Sequence, residues 1–73
     1  MNPDRMLYLV VCAHERGDYV AERDVSDLDR STTVQDIRAG QFGEILHVIE
    51  FCIAERIVAD VTEDVLREAG REP

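Results

Sequence analysis

From Ile45 to Ile53 the odd positions are Ile45, His47, Ile49, Phe51 and Ile53, and the even ones are Leu46, Val48, Glu50 and Cys52. One side of an extended chain would thus be almost wholly apolar. Branching at Cβ suits a pleated surface better than a helix, where it restricts χ1 against the preceding turn. A competing helical spacing runs through Leu46, Ile49, Ile53, Ile57, Val61 and Val65. That reading needs a helix of roughly two dozen residues, about twice the mean for globular proteins. Asp60 with Glu63 three residues on also has the spacing of a fresh helix start. The strand reading over 44–53 is preferred.

Leu7 to His14 alternates with both faces apolar: Leu7, Leu9, Val11 and Ala13 on one, Tyr8, Val10, Cys12 and His14 on the other. Such a strand belongs in the middle of a sheet. Glu15-Arg16-Gly17-Asp18 supplies turn chemistry, and Tyr19 to Arg23 returns as a more polar strand suited to an edge. Strands are predicted over 6–14, 18–24 and 44–53. Thr32 with Gln35 has capping-box spacing and predicts a short helix over 32–40, burying Val34 and Ile37 and stopped by Gly40. Asp60 opens a second helix over 60–70, with Val61, Val65, Leu66 and Ala69 inward and Gly70 past the end.

The predicted fold is α+β in the order β-β-α-β-α. A right-handed crossover past the first strand gives a three-stranded antiparallel sheet of order 2-1-3, with both helices on one face. Residues 1–73 form a single small domain, with 1–5 and 71–73 as flexible ends. Two short helices cannot cover both faces of the sheet, although the first and third strands are apolar on both. The uncovered face would carry Tyr8, Val10, Leu46 and Val48, or their opposite set, which predicts a homodimer packed through the sheet.

Sixteen acidic residues against eight basic ones give a net charge of −8 on 73 residues. That field repels phosphate backbones, so direct nucleic-acid binding is not expected. The acid is concentrated in Asp18, Glu22, Asp24, Asp27 and Asp29, and again in Glu55, Asp60, Glu63, Asp64, Glu68 and Glu72. Solvated faces account for most of it. A functional alternative is a basic protein partner docked on Asp24, Asp27 and Asp29, or mimicry of a nucleic acid to block the protein that binds it. Two cysteines in apolar runs, Cys12 and Cys52, do not make a disulfide framework and predict buried, reduced thiols. The run Leu7 to Ala13 is too short to span a bilayer, and Met1 to Met6 carries Asp4 and Arg5, unlike a secretory leader. No membrane association and a cytoplasmic location are expected.

No catalytic, cofactor or metal residues emerge from the motifs. Arg16-Gly17-Asp18 matches the tripeptide read by integrins, but in this setting it is a turn. Cys12, His14, His47 and Cys52 have suitable donor types for zinc, yet on strand alternation His47 and Cys52 point to opposite faces. Asp24, Asp27 and Asp29 lack the regular alternation and the glycine of a calcium loop, and local capping bonds suit them better. Ser31, Thr32 and Thr33 have no neighbouring base in sequence to activate them. Phosphate-binding glycine loops, metalloprotease motifs and nucleophile elbows are missing. The chain is not expected to be an enzyme.

Residues 17–30, Thr32 to Ile37 with Gly40-Gln41-Phe42, Val48 to Phe51 and Asp60 to Asp64 resemble a group of small uncharacterised bacterial proteins. The resemblance covers roughly 17 to 68. It implies a bacterial cytoplasmic or phage-associated setting and brings no activity with it. The expected function is a small acidic interaction module that self-associates. The alternative is an acidic nucleic-acid-mimicking inhibitor of a basic protein, and a small-ligand or metal-binding domain comes third.

Overall fold

The computed structural model describes residues 5–70. The expectations for 1–4 and 71–73 lie outside them. The order is β1 (Leu7–Cys12), β2 (Tyr19–Val20), a single 3-10 turn (Val25–Asp27), α1 (Arg30–Arg38), β3 (Ile45–Cys52), β4 (Ile57–Asp60) and α2 (Thr62–Glu68). The class is α+β, as the periodicities indicate.

The sheet has four strands rather than three. Its order is β2-β1-β3-β4, with every neighbouring pair antiparallel. The predicted 2-1-3 core is thus present, and the helical connection from β2 to β3 passes β1 to reach its far side. The added strand arises where Ile53 to Arg56 turn the chain back on β3. The Arg56 N–H donates to the Ile53 carbonyl at 3.3 Å, and Arg56 takes a positive φ of 55°. Four-residue hairpin loops of this kind need no Asn-Gly signal. None stands in Ile53-Ala54-Glu55-Arg56, so the return strand was not visible as a turn-bounded run.

Two helix starts also differ. α1 begins at Arg30, earlier than the predicted Thr32, because the Asp29 carboxylate accepts the Thr32 N–H at 3.0 Å and caps the helix. At α2 the Asp60 side chain accepts the Thr62 N–H at 3.0 Å in a turn between β4 and the helix, and Val61 occupies the cap position itself. The helix ends agree better: Gly40 and Gly70 follow α1 and α2 with φ of 75° and 78°, the left-handed stop that glycine adopts without steric cost. β2 is shorter than the predicted 18–24, since the chain leaves the sheet after Val20.

Tyr8, Val34, Ile37, Val48, Val65 and Ala69 form the core between the sheet and the two helices. β1 turns Tyr8, Val10 and Cys12 toward it, and α2 contributes Val65 and Ala69. Strand alternation puts Leu7, Leu9 and Val11 on the opposite face. A bulge interrupts β3: Val11 pairs with His47 but Cys12 pairs with Ile45, leaving Leu46 as the extra residue. Simple alternation groups Ile45 with Ile49 and Phe51. The bulge instead turns Ile45 toward the helices, where it packs on the core.

Candidate functional site: the uncovered sheet face and its β4 corner

Pairing fixes which side chains share the face without helices. Val11 lies beside Val20 and His47, Leu9 beside Ile49, and Leu7 beside Phe51, while β4 adds Val58 opposite Phe51 and Asp60 opposite Ile49. The result is an apolar strip across all four strands. Leu7 at one end is buried, Leu9, Val11, Ile49 and Phe51 are half-buried, and Val20 and Val58 are exposed, Val58 at 77%. None of α1 or α2 lies over it, because both pack on the Tyr8 side.

Of the surface residues expected from the sequence, Tyr8, Val10 and Val48 are buried against the helices, so they cannot form a surface. Leu46 sits half-buried at the bulge. The opposite set, Leu9, Val11, Ile49 and Phe51, lies on the face without helices and is half-buried. Alternation separated the two sets in sequence, but only the packing of α1 and α2 decides between them.

Of the acidic residues Asp24, Asp27 and Asp29, two spend their carboxylates on local bonds. Asp24 accepts the Ser26 N–H at 3.3 Å and opens the 3-10 turn, and Asp29 caps α1. The Thr32 N–H holds the Asp29 carboxyl below the usual carboxylate range. Asp27 offers its backbone carbonyl to the Arg23 guanidinium. These are the local capping and turn bonds that short polar side chains favour.

Arg23 is a feature that strand reasoning misread as edge charge. Its side chain is only 7% exposed. It donates to the Tyr8 carbonyl at 3.3 Å and to Thr33 Oγ1 at 2.8 Å, lies 3.7 Å from Asp36, and stacks over Phe42 at 5.4 Å. The guanidinium therefore ties β1, the 3-10 turn and α1 together. Its planar fork of five donors makes that geometry available to arginine and not to lysine.

At the β3–β4 end of the open face, His47 Nδ1 lies 2.9 Å from Asp60 Oδ2. The Thr62 hydroxyl donates to Asp60 Oδ1 and accepts the Val48 N–H at 2.9 Å. Bonds from the Thr62 hydroxyl and N–H, with His47 beside it, hold the Asp60 carboxyl at about 2. A shallow cleft of about 560 Å³ adjoins this corner, lined by Leu46, Leu66, Glu63 and Asp64 among others. Chemically the trio resembles a hydroxyl, a carboxylate and an imidazole in sequence, but the hydroxyl is spent joining α2 to β3.

His14 is exposed, with its Nδ1 accepting the Arg16 N–H at 3.2 Å and its ring edge-on to Tyr19 at 6.1 Å. Arg16, Gly17 and Asp18 stand at an exposed turn. Cys12 and Cys52 are both buried, as the apolar runs indicate. Cys12 is opposite Ile45 and Cys52 opposite Ile57. At about 3.4 Å per residue along β3 they stand roughly 24 Å apart, far beyond the Cα separation of about 4.4–6.8 Å that a disulfide allows. Among the described residues no group of three or more His, Cys, Asp and Glu side chains converges as a metal cage would. No helix among them is long and apolar enough to cross a membrane.

No protein family matches the chain, no curated protein is recognisably similar to it, and no solved structure matches its fold. The class is defined by the structure itself: a small α+β domain with a four-stranded antiparallel sheet covered by helices on one face.

Proposed function

We propose that the protein is a non-enzymatic interaction module that self-associates by packing its uncovered sheet face against the same face of a second copy. The observation that carries this reading is the strip of Leu9, Val11, Ile49, Phe51 and Val58 on the side of the sheet that neither helix covers. Contiguous exposed apolar surface of this kind marks interaction sites. A second copy suits it because like faces of one antiparallel sheet are self-complementary about a two-fold axis. The 20 residues of the four strands, at a rise of about 3.4 Å and a spacing of about 4.8 Å, give a footprint of about 330 Å². That is below the ~800 Å² per partner of a standard stable interface, which points to moderate affinity.

The acidic stretch from Asp24 to Asp29 offers less to a docking partner, since two of its carboxylates serve as caps. Net charge of −8 per chain opposes association. Added salt screens that repulsion, so the complex tightens as ionic strength rises. Sedimentation velocity over a range of concentrations at low and high salt tests the proposal. A monomer at high micromolar concentration under both conditions rejects it.

A further inference from the structure

Two ionisable side chains interrupt the apolar strip of the open face, and they stand together. His47 lies beside Val11 and Asp60 beside Ile49 in the ladders, both on the side without helices, and His47 Nδ1 is 2.9 Å from Asp60 Oδ2. Roughly half of each side chain is exposed, so the pair is wet in the single chain. A second copy changes that. The strand footprint of about 330 Å² is too small for a partner to bury useful area while standing clear of this corner.

The charge at the corner depends on His47. Asp60 remains ionised through the neutral range, its carboxyl held at about 2 by the Thr62 hydroxyl and N–H and by His47. The other charged groups around the imidazole are acidic: Glu63 and Asp64 of α2 line the cleft it shares with Asp60, while β1 places only Val11 beside it. Glu44, just before β3, lines a different cleft with His14. With His47 neutral, each copy would carry an uncompensated carboxylate into the contact. With His47 protonated, each carries a hydrogen-bonded ion pair of no net charge, and covering such a pair costs far less than covering a lone charge.

We propose that the His47–Asp60 pair makes self-association through the open face pH-dependent, with protonation of His47 tightening the contact between copies. The inference rests on the face-to-face reading above and adds its regulation. Histidine is the side chain whose charge ordinarily changes between about pH 5 and 8, and the chain has two, His14 and His47. His14 stands edge-on to Tyr19, which is opposite Cys12 and so on the other side of the sheet. A two-fold dimer contains the His47 corner twice, so proton uptake on association counts twice.

Sedimentation velocity over a concentration series at about pH 8 and about pH 6 tests the switch, an interval above the ordinary carboxylate range. In 1 M salt the Debye length falls to about 3 Å, which removes the general repulsion between acidic chains and leaves the local effect at the contact. The native dimer is expected to be about tenfold tighter at the lower pH, roughly threefold for each of its two corners. His47→Gln, neutral throughout, should bind equally at both values, and His14→Gln should keep the native dependence. Circular dichroism confirms folding; if His47→Gln does not fold, His47→Lys, charged throughout, should likewise bind equally at both. A native dimer of the same affinity at both values overturns the switch and leaves self-association standing. A pH dependence that survives His47→Gln, or is lost in His14→Gln, also overturns it. A native protein that is monomeric at both values overturns self-association and the switch together.

Discussion

Tyr8 and Glu50 stand opposite each other in the β1–β3 ladder, and the Tyr8 hydroxyl donates a 2.7 Å hydrogen bond to Glu50 Oε2 beneath the helices. Glu50 is the one acidic residue of β3, and strand alternation directs it toward the core side. The pair explains how that side tolerates a carboxylate. Arg30 completes the arrangement, 3.9 Å from the same oxygen, over the Tyr8 ring at 5.7 Å, and paired with Glu68 at 3.0 Å. β1, β3, α1 and α2 thus meet in one polar network at the rim of the core.

Removing the hydroxyl with Tyr8→Phe is expected to cost about 1–2 kcal/mol, the range for a hydrogen bond to a charged group that is partly shielded. Burial and the neighbouring Glu50 raise the Tyr8 phenol above its ordinary value of 10.0. A folded pKa above the unfolded one gives stabilisation that is complete below about 10 and lost as pH rises through the folded value. Urea unfolding of both proteins at pH 7 and above pH 10 checks this: the native chain weakens in alkali more than Tyr8→Phe does. Equal alkaline losses would show that Tyr8 is not the responsible group.

Asp60 should titrate at about 2, far below its ordinary value of 3.8, with the Thr62 hydroxyl as the largest cause. The sign follows from the lowered pKa: its contribution to stability is present above the unfolded value near 4 and lost as pH falls through about 2. Carboxyl carbon NMR reads this directly. Thr62→Ala is expected to move the Asp60 midpoint upward toward 3.8, and an unmoved midpoint would mean that the backbone N–H of residue 62 and His47 set it without the hydroxyl.

Arg56 occupies the left-handed region at φ 55°, where a side chain costs about 1 kcal/mol relative to glycine. Arg56→Gly is therefore expected to stabilise the monomer by up to about 1 kcal/mol, less what the freer unfolded chain takes back. Arg56→Val should destabilise it instead. Chemical denaturation in dilute solution, below the concentrations that favour association, separates the backbone effect from any contact with a second copy.

Arg23→Ala should cost about 2–4 kcal/mol, because it leaves the Tyr8 carbonyl and the Thr33 hydroxyl without their donor and empties the space over Phe42. Arg23→Lys should recover only a small part, since one ammonium cannot reach acceptors on β1, the 3-10 turn and α1 together. Urea midpoints of the two variants test the bridging role. A lysine variant as stable as the native protein would reduce Arg23 to a simple charge.

Period and punctuation along the chain determined the α+β class, the central place of β1, the 2-1-3 order and both glycine helix stops. Each of these follows from residues close in sequence: alternation in Leu7 to His14, branching in Ile45 to Ile53, and Gly40 and Gly70 after apolar helical stripes. β4 escaped because its turn depends on Arg56 adopting a left-handed conformation that no local residue type announces. The buried role of Arg23 escaped for a related reason, since its acceptors lie 15 residues back at Tyr8 and 10 ahead at Thr33. Which sheet face stays open was also beyond local pattern. Both sets of alternate side chains are apolar, so the choice between Tyr8, Val10, Val48 and Leu9, Val11, Ile49 rests on the side to which α1 and α2 fold. That is a property of the packed molecule, fixed when Val34, Ile37, Val65 and Ala69 close over Tyr8 and Val48.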